Sequence, residues 1–485
     1  MSESRTGAVV LAAASAFLVA LPWFTVDIAP ITDLPQHLAQ MRLFAEAHEP
    51  GSPYSVQWLT PYWLGYLPLA AAWKLFAPLA AGRIAMAFLG VVTVLLTHRI
   101  ARTRGRSPHA AVLATVFFFS HNLYWGFYNF AWGWALYLVW LDLVLRAPAR
   151  REWLALTLTA TALFFTHVLW LVMALGTLGL VTLRARPPLQ VWLVRAASTL
   201  PAVVLTVVWY VGFRQSWFAT QEITWVRLPH EHLYPWHLRD AILGGIHTSH
   251  IEDVVLALIA AWVVAGLWQA RREWRTRIEP TLLLLAAVLF LAYVFLPYRM
   301  MNTIFFGERW MPPSMTLLLL GVPAPELRPR VARTMSLGLT GVFVLVTVLT
   351  WRVFEVDELS GLYESLSRLP PRPNLLSLDF LRRSENIKGR PFVQTGAWSQ
   401  VLFGGRLNFS FAEFAPSLVV FTGGLRPTWT VGLEWYAERV QPRDFVQFDY
   451  ALVGALPQMH DKFRQLPGLE PLVPAGNWRL YRIHR

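Results

Sequence analysis

The chain has 485 residues, of which 55% are hydrophobic, 14% aromatic and only 15% charged. Soluble globular chains carry roughly 25% charged residues, so this composition excludes an ordinary soluble enzyme, a disordered chain and a coiled coil. The net charge is +13 and cysteine is absent, which excludes disulfides, thiolate metal sites and cysteine nucleophiles; in so apolar a chain the positive balance points to cytoplasmic anchoring loops, not to nucleic acid.

The first apolar window, Gly7–Val26, is followed by no small-residue cleavage site and reads as a membrane anchor. Behind it lies the first outer loop, Asp27–Pro61. Within it Leu34–Ala47 has helical periodicity, with Leu34, Leu38, Met41 and Ala45 on one face. Tyr62–Leu79 is apolar but carries Pro68, Lys74 and Pro78, so we read it as a helix lying along the outer face. Further windows follow near Ala80–His98, His109–Phe119, Phe130–Leu145, Trp153–Thr166, Val168–Leu183, Trp192–Phe213, Val254–Trp268, Thr281–Pro297, Met311–Val322 and Met335–Phe354. The expected total is about eleven spans.

Arginine placement orients them. Arg99, Arg102, Arg104, Arg106, Arg146, Arg150, Arg151, Arg184, Arg186, Arg271, Arg272, Arg275, Arg277, Arg328, Arg330 and Arg333 fall on one side. The other side holds Arg214, Arg227, Arg239, Arg299 and Arg309. The positive-inside rule then puts the N-terminus in the cytoplasm and the C-terminus outside a multi-pass inner or plasma membrane protein. The expected division is a transmembrane domain, 1–354, with outer loops 27–61, 214–253 and 298–310, and an outward soluble domain, 355–485. In the tail, Phe392–Thr395, Leu418–Phe421, Tyr450–Val453 and Trp478–Ile483 read as strands, and Leu433–Val440 and Pro457–Leu466 as helices. This suggests a small α/β domain behind a stiff Pro370–Pro373 linker.

Outward charges are scarce, so each is a candidate. Asp33 precedes an amphipathic helix. It is either an N-cap carboxylate or a base held at the membrane surface, and His37 follows one turn later. In Ser120–Asn129, the polar His121, Asn122 and Asn129 sit among aromatics, as belt anchors or as the lining of a polar pocket. His167 lies where two windows meet. The imidazoles and carboxylates of 230–253 suggest a metal, but their spacing fits no zinc pattern, and a polar loop covering a ligand is expected instead. Arg309 opens a span beside Glu308, as a snorkelling anchor or as a guanidinium for a phosphate; Arg299 and Arg83 are secondary candidates. P-loop, Rossmann and GxSxG signatures are absent.

This arrangement resembles the GT-C superfamily of integral-membrane glycosyltransferases, which includes protein O-mannosyltransferases and aminoarabinose transferases. The resemblance rests on a first span, an outer loop holding Asp33, interfacial helices, further spans and an outward tail. At residue level it rests on Leu67-Pro68-Leu69 through Phe76 and on Gly82-Arg83-Ile84. It implies an all-α polytopic GT-C-like membrane protein with a small C-terminal extracytoplasmic α/β domain. The implied activity is inverting transfer of a sugar from a polyprenyl-phosphate donor to an acceptor hydroxyl at the outer face. Asp33 is then the general base. Arg309, Glu308, Arg299, His37, His121, Asn129 and His167 are the residues expected around the substrate. Many members carry two adjacent acids or a DxD in the first loop, whereas Asp33 has no acidic neighbour nearer than Asp27. No cofactor is therefore expected, with a divalent metal left open. The expected partners are the lipid-linked donor, membrane lipids and an acceptor that is a glycan, lipid or protein. The competing readings are a transporter or flippase for a lipid-linked substrate, which needs titratable groups deep within several spans, and a non-catalytic assembly protein whose tail binds partners.

Overall fold

The computed structural model describes residues 5–146, 152–213, 223–301, 303–423 and 427–484. Arg150, Arg151, Arg214 and the start of the 214–253 loop lie outside the described residues. Every apolar window is helical, but the count differs from about eleven spans. Among the described residues six helices are long and apolar enough to cross a membrane: Arg5–Phe24, Pro78–Thr103, Val168–Ala185, Leu189–Phe213, Ile251–Gln269 and Pro329–Glu358. Glu152–Thr166 and Pro280–Phe295 are apolar but shorter. The remaining windows form short or broken helices, Pro108–Ala114, Tyr128–Val144 and Met311–Gly321. None of residues 128–144 is exposed; an element covered by its neighbours is freed from the length that lipid contact demands.

Tyr62–Leu79 holds only a short α-helix. Its helix runs only Tyr66–Leu75, and Pro78 already starts the next one. Ten residues extend ~15 Å, about half of a ~30 Å hydrocarbon core.

At one end of the bundle the arginines act as fasteners. Arg106 donates to the carbonyls of Leu320, Gly321 and Val322, the open C-terminal end of Met311–Gly321, where a cation is favourable. Arg104 pairs with Glu279 at 2.6 Å, and Arg99 pairs with Asp142 at 2.7 Å. Arg146 reaches the same Asp142 from one turn on. The opposite end carries the first loop, the turn 120–128, the loop 245–247 and the hairpin Arg299–Met300/Thr303–Ile304.

The tail is built on a five-stranded mixed sheet, ordered Arg406–Leu407, Asn374–Asp379, Tyr450–Gly454, Trp478–Ile483, Leu469–Pro471. Asn374–Asp379 is parallel to both of its neighbours; the pairs made by Trp478–Ile483 are antiparallel. Alternation of side chains divides two cores. Leu375, Leu452 and Leu480 join the core shared with the helical bundle, while Leu376, Leu378, Ala451, Val453 and Tyr481 pack into a smaller core with Phe463.

Three tail expectations change. Phe392–Thr395 is a turn leading into the helix Ala397–Phe403, since Pro391 and Gly396 bracket it. Val419–Phe421 is a strand but pairs with Tyr54–Val56 of the first loop, not with the main sheet. Of Leu433–Val440 only one 3-10 turn, Ala437–Arg439, forms. A further strand of the sheet, Asn374–Asp379, is hard to discern in the sequence because it directly follows the proline-rich linker.

The tail grips the loops at this end rather than hanging from them. Gln36 bonds Gln394 at 2.8 Å and accepts from the Phe411 amide. Gln40 exchanges two bonds with the Val419 backbone. On the other side His247 and Lys388 are joined through their backbones to Asn386 and Gly245, and Lys388 Nζ pairs with Asp240 and with buried Glu252.

Candidate active site

The site begins with how Asp33 is held. The turn His121–Trp125 ends at Gly126, which takes φ +79° as the left-handed C-terminal residue. Its carbonyl edge is used by the first loop: Thr32 N and Oγ1 donate to Tyr124 O, and Asp33 N donates to Trp125 O. Side-chain room is lacking at Gly126, where a Cβ would stand 2.8 Å from Asp33 N. The Asp33 backbone occupies the N-cap position of Leu34–Glu46, yet its carboxylate makes no capping bond. Among the described residues that carboxylate makes no hydrogen bond or ion pair at all. Burial pushes its pKa up from 3.8 to about 8, and the charge of Arg309 opposes the rise.

Arg309 is the second member. It is buried, and it does not pair with the adjacent Glu308. Glu308 faces Arg227 instead, at 3.5 Å. The Arg309 guanidinium stacks 3.5 Å from the Phe127 ring centroid and 5.7 Å from that of Phe130. Nε and Nη2 donate to Ile304 O at 3.2 and 3.0 Å. Asn122 Nδ2 fixes its carbonyl at 2.9 Å. Nη1 makes no hydrogen bond among the described residues. Burial lowers the Arg309 pKa to about 10, and the nearest opposing influences are Tyr62, Asp33 and Glu308. It therefore stays cationic at neutral pH.

The other expected residues divide. His37 is tied on both nitrogens, Nε2 to Gly126 O at 3.1 Å and Nδ1 to Tyr66 Oη at 2.7 Å. A carbonyl can only accept, so Nε2 carries the proton and Tyr66 donates to Nδ1. Burial lowers the His37 pKa to about 4, in keeping with this neutral tautomer. His37 thus braces the Gly126 turn on which Asp33 rests. Asn129 is buried beside Tyr66, with Oδ1 unpaired. His121 packs 4.5 Å from Phe305 with Nε2 unpaired, and burial followed by the Arg309 charge lowers its pKa to about 3. His167 is buried between Tyr62 and Phe130, its pKa lowered for the same two reasons. The Arg309 charge acts on Asp33, Tyr62, His121 and His167 alike.

Arg299 is exposed on the hairpin, and its backbone pairs with Thr224. Arg83 is engaged by Asp27 at 2.8 Å and by Val26 O. Among the described residues no three His, Asp or Glu side chains converge as a metal would require; Glu252 and Asp240 of the second loop serve the tail lysine instead. A cavity of ≈ 50 Å³ reaches into the bundle from Asn122 and Phe130 to Thr93, Thr97 and Thr316. Tyr62, Tyr66, Phe127 and Gly126 were not singled out by the sequence as site builders, whereas Asn122 was, as a candidate pocket lining. Only Gly126 carried a signal, a glycine closing a short helical turn.

The fold and this site define a multi-pass membrane protein with a polar, partly unsatisfied centre opposite its arginine-rich end. No protein-family profile and no curated protein sequence matches the chain. Its fold is shared with ArnT from Cupriavidus metallidurans, solved bound to undecaprenyl phosphate, with a TM-score of 0.55 over 99% of this chain and 98% of that one at 12% identity. The likeness runs over the whole of both chains and is one of fold.

Proposed function

We propose that this chain is a membrane glycosyltransferase that moves a sugar from a polyprenyl-phosphate donor to an acceptor hydroxyl at the outer face of the membrane, with inversion. The observation that carries the reading is a carboxylate without a partner, held by the backbone within the field of a buried arginine that keeps one free nitrogen. A carboxylate and a guanidinium nitrogen left without protein partners in one place are groups that a ligand could engage. Asp33 takes the proton of the acceptor hydroxyl as its oxygen attacks the anomeric carbon. The bond from that carbon to the phosphate oxygen breaks, and the phosphate leaves with the electron pair. Arg309 binds the phosphate and stabilises the charge that gathers on it. A single displacement inverts the anomeric centre. A base with a pKa of about 8 suits this task, being strong yet partly ionised near neutrality. His121 and His167 are neutral there and supply hydrogen bonds rather than charge. ArnT, which shares the fold, was solved with a lipid of this class bound.

The test supplies the purified protein with radiolabelled polyprenyl-phosphate sugars and candidate acceptors. Wild type is expected to transfer label. Asp33→Asn is expected to bind donor but not transfer, and Arg309→Ala to lose donor binding. Normal transfer by Asp33→Asn ends the general-base assignment.

A further inference from the structure

The arginine-rich end holds cations of two kinds. Arg99, Arg104, Arg106, Arg146 and Arg277 are consumed by carboxylates or by helix-end carbonyls. The connection from Ile251–Gln269 to Pro280–Phe295 carries others that are not. Each of residues 271–276 is exposed. Arg272 and Arg275 make no hydrogen bond or ion pair among the described residues. Two indoles accompany them. Trp268, in the last turn of the span, is 67% exposed, and Trp274 is 48% exposed. The Arg271 guanidinium lies 4.8 Å from the Trp268 ring centroid, and that of Arg275 lies 5.5 Å from the centroid of Trp274. Arg271 also donates to Trp268 O at 3.0 Å, at the open C-terminal end of the span, where a cation is favourable. Glu273 is the one acid in the exposed run. The connection is anchored at both ends. Gln269 Oε1 accepts from Glu326 N at 2.5 Å, and Arg277 pairs with Glu326 at 2.7 Å. The segment leading to the exposed Arg328 and Arg330 is thereby set beside it.

We propose that this connection is a binding site for the headgroup of an anionic phospholipid, at the end of the bundle opposite Asp33 and Arg309. Orienting a chain in a membrane needs positive charge on one side, which lysine serves as well as arginine, and it needs no indole. Exposed tryptophans at the end of a span lie at headgroup depth, with an apolar body toward the acyl chains and a polar edge toward water. Stacking on an indole covers a guanidinium face and leaves the in-plane N–H groups free. Those edges match phosphate oxygens two at a time, and a stacked arginine has less side-chain freedom left to lose. Three arginines, Arg271, Arg272 and Arg275, stand against one acid, Glu273. A lipid with net negative charge suits this balance. A zwitterionic lipid brings a cation of its own, which the arginines repel. The indoles favour a lipid over free phosphate, because only the lipid has an acyl chain for them to meet. The site stands apart from the transfer chemistry and does not rest on it.

The experiment titrates lipid onto the full chain in a neutral detergent and reads bound lipid by native mass spectrometry. The probes are phosphatidylglycerol and phosphatidylcholine of matched chains, with inorganic phosphate as a competitor. Wild type is expected to hold phosphatidylglycerol the more tightly. Each arginine near an anionic headgroup contributes roughly fivefold, so Arg272→Gln with Arg275→Gln should weaken phosphatidylglycerol by roughly twenty-five-fold and leave phosphatidylcholine unchanged. Both side chains are exposed and unbonded, so the double variant should melt like wild type. Trp274→Leu keeps apolar surface but removes the shelf under Arg275, and should cost roughly two- to fivefold. Arg439→Gln with Arg443→Gln removes the same charge from exposed positions in the tail and should bind both lipids like wild type. A folded Arg272/Arg275 double variant with wild-type phosphatidylglycerol affinity overturns the site. So does an equal loss in the tail variant, which would show a response to net charge alone. Displacement of the lipid by millimolar inorganic phosphate overturns the lipid assignment.

Discussion

The two ends of the bundle treat charge in opposite ways. At the arginine-rich end, Arg104 and Arg106 are met by Glu279 or by helix-end carbonyls, and Asp142 receives Arg99 and Arg146. At the other end, among the described residues, the Asp33 carboxylate makes no capping bond, Arg309 donates only through Nε and Nη2, and His121 Nε2 is buried without a partner. Charges that hold the fold are satisfied within it. Charges left over, in a protein that carries few, mark where a ligand is needed.

The largest contrast should come from removing one acid at each end. Asp33→Asn is expected to lower transfer by roughly 10²–10⁴-fold, the span of general-base contributions. It should also raise thermal stability near neutral pH. The sign follows from the pKa: a folded value of about 8 against an ordinary 3.8 means that stability falls as pH rises between them. Asparagine removes that loss. Asp142→Asn should do the reverse, costing about 1–3 kcal/mol because Arg99 and Arg146 lose their buried acceptor, with transfer retained. Thermal melts and transfer assays on the two variants decide it, and the same sign for both melts breaks the comparison.

Arg309→Ala comes next, with donor affinity expected to fall about a hundredfold. In any residual activity the pH–rate midpoint should move upward. The Arg309 charge is what holds Asp33 down against burial, so without it the carboxylate ionises only at higher pH. An unmoved midpoint would separate the two residues. Gly126→Ala should then cost roughly tenfold in transfer. The added methyl meets Asp33 N at 2.8 Å, and φ of +79° disfavours any side chain. Donor binding should hold, giving a change in kcat rather than KM. The smallest effect is expected from Arg106→Ala. It uncaps Met311–Gly321 and should lower stability by about 1–2 kcal/mol while leaving donor affinity unchanged.

Much of this molecule follows from local patterning. Apolar windows and arginine clusters depend on the cost of moving charge and bare backbone into lipid, which acts residue by residue. The same scarcity of outward charge makes Asp33 and Arg309 conspicuous in the sequence. What stays ambiguous at that level is whether each is structural. An N-cap and a free base look alike in sequence, as do a snorkelling anchor and a phosphate ligand. The answer depends on the Trp125 carbonyl, the Ile304 carbonyl and the Phe127 ring, none of which is announced by spacing. His37 shows the converse, a plausible ligand that the fold consumes as a brace between Tyr66 and Gly126. The tail's docking is equally invisible, because Gln36–Gln394 and the pairing of Tyr54–Val56 with Val419–Phe421 join residues more than 350 positions apart. Sequence alone determined which segments are apolar and where the scarce charges lie, since hydropathy is a local property. Tertiary structure decided which of those charges are consumed within the fold, since a hydrogen bond exists only when its partner arrives from elsewhere in the chain.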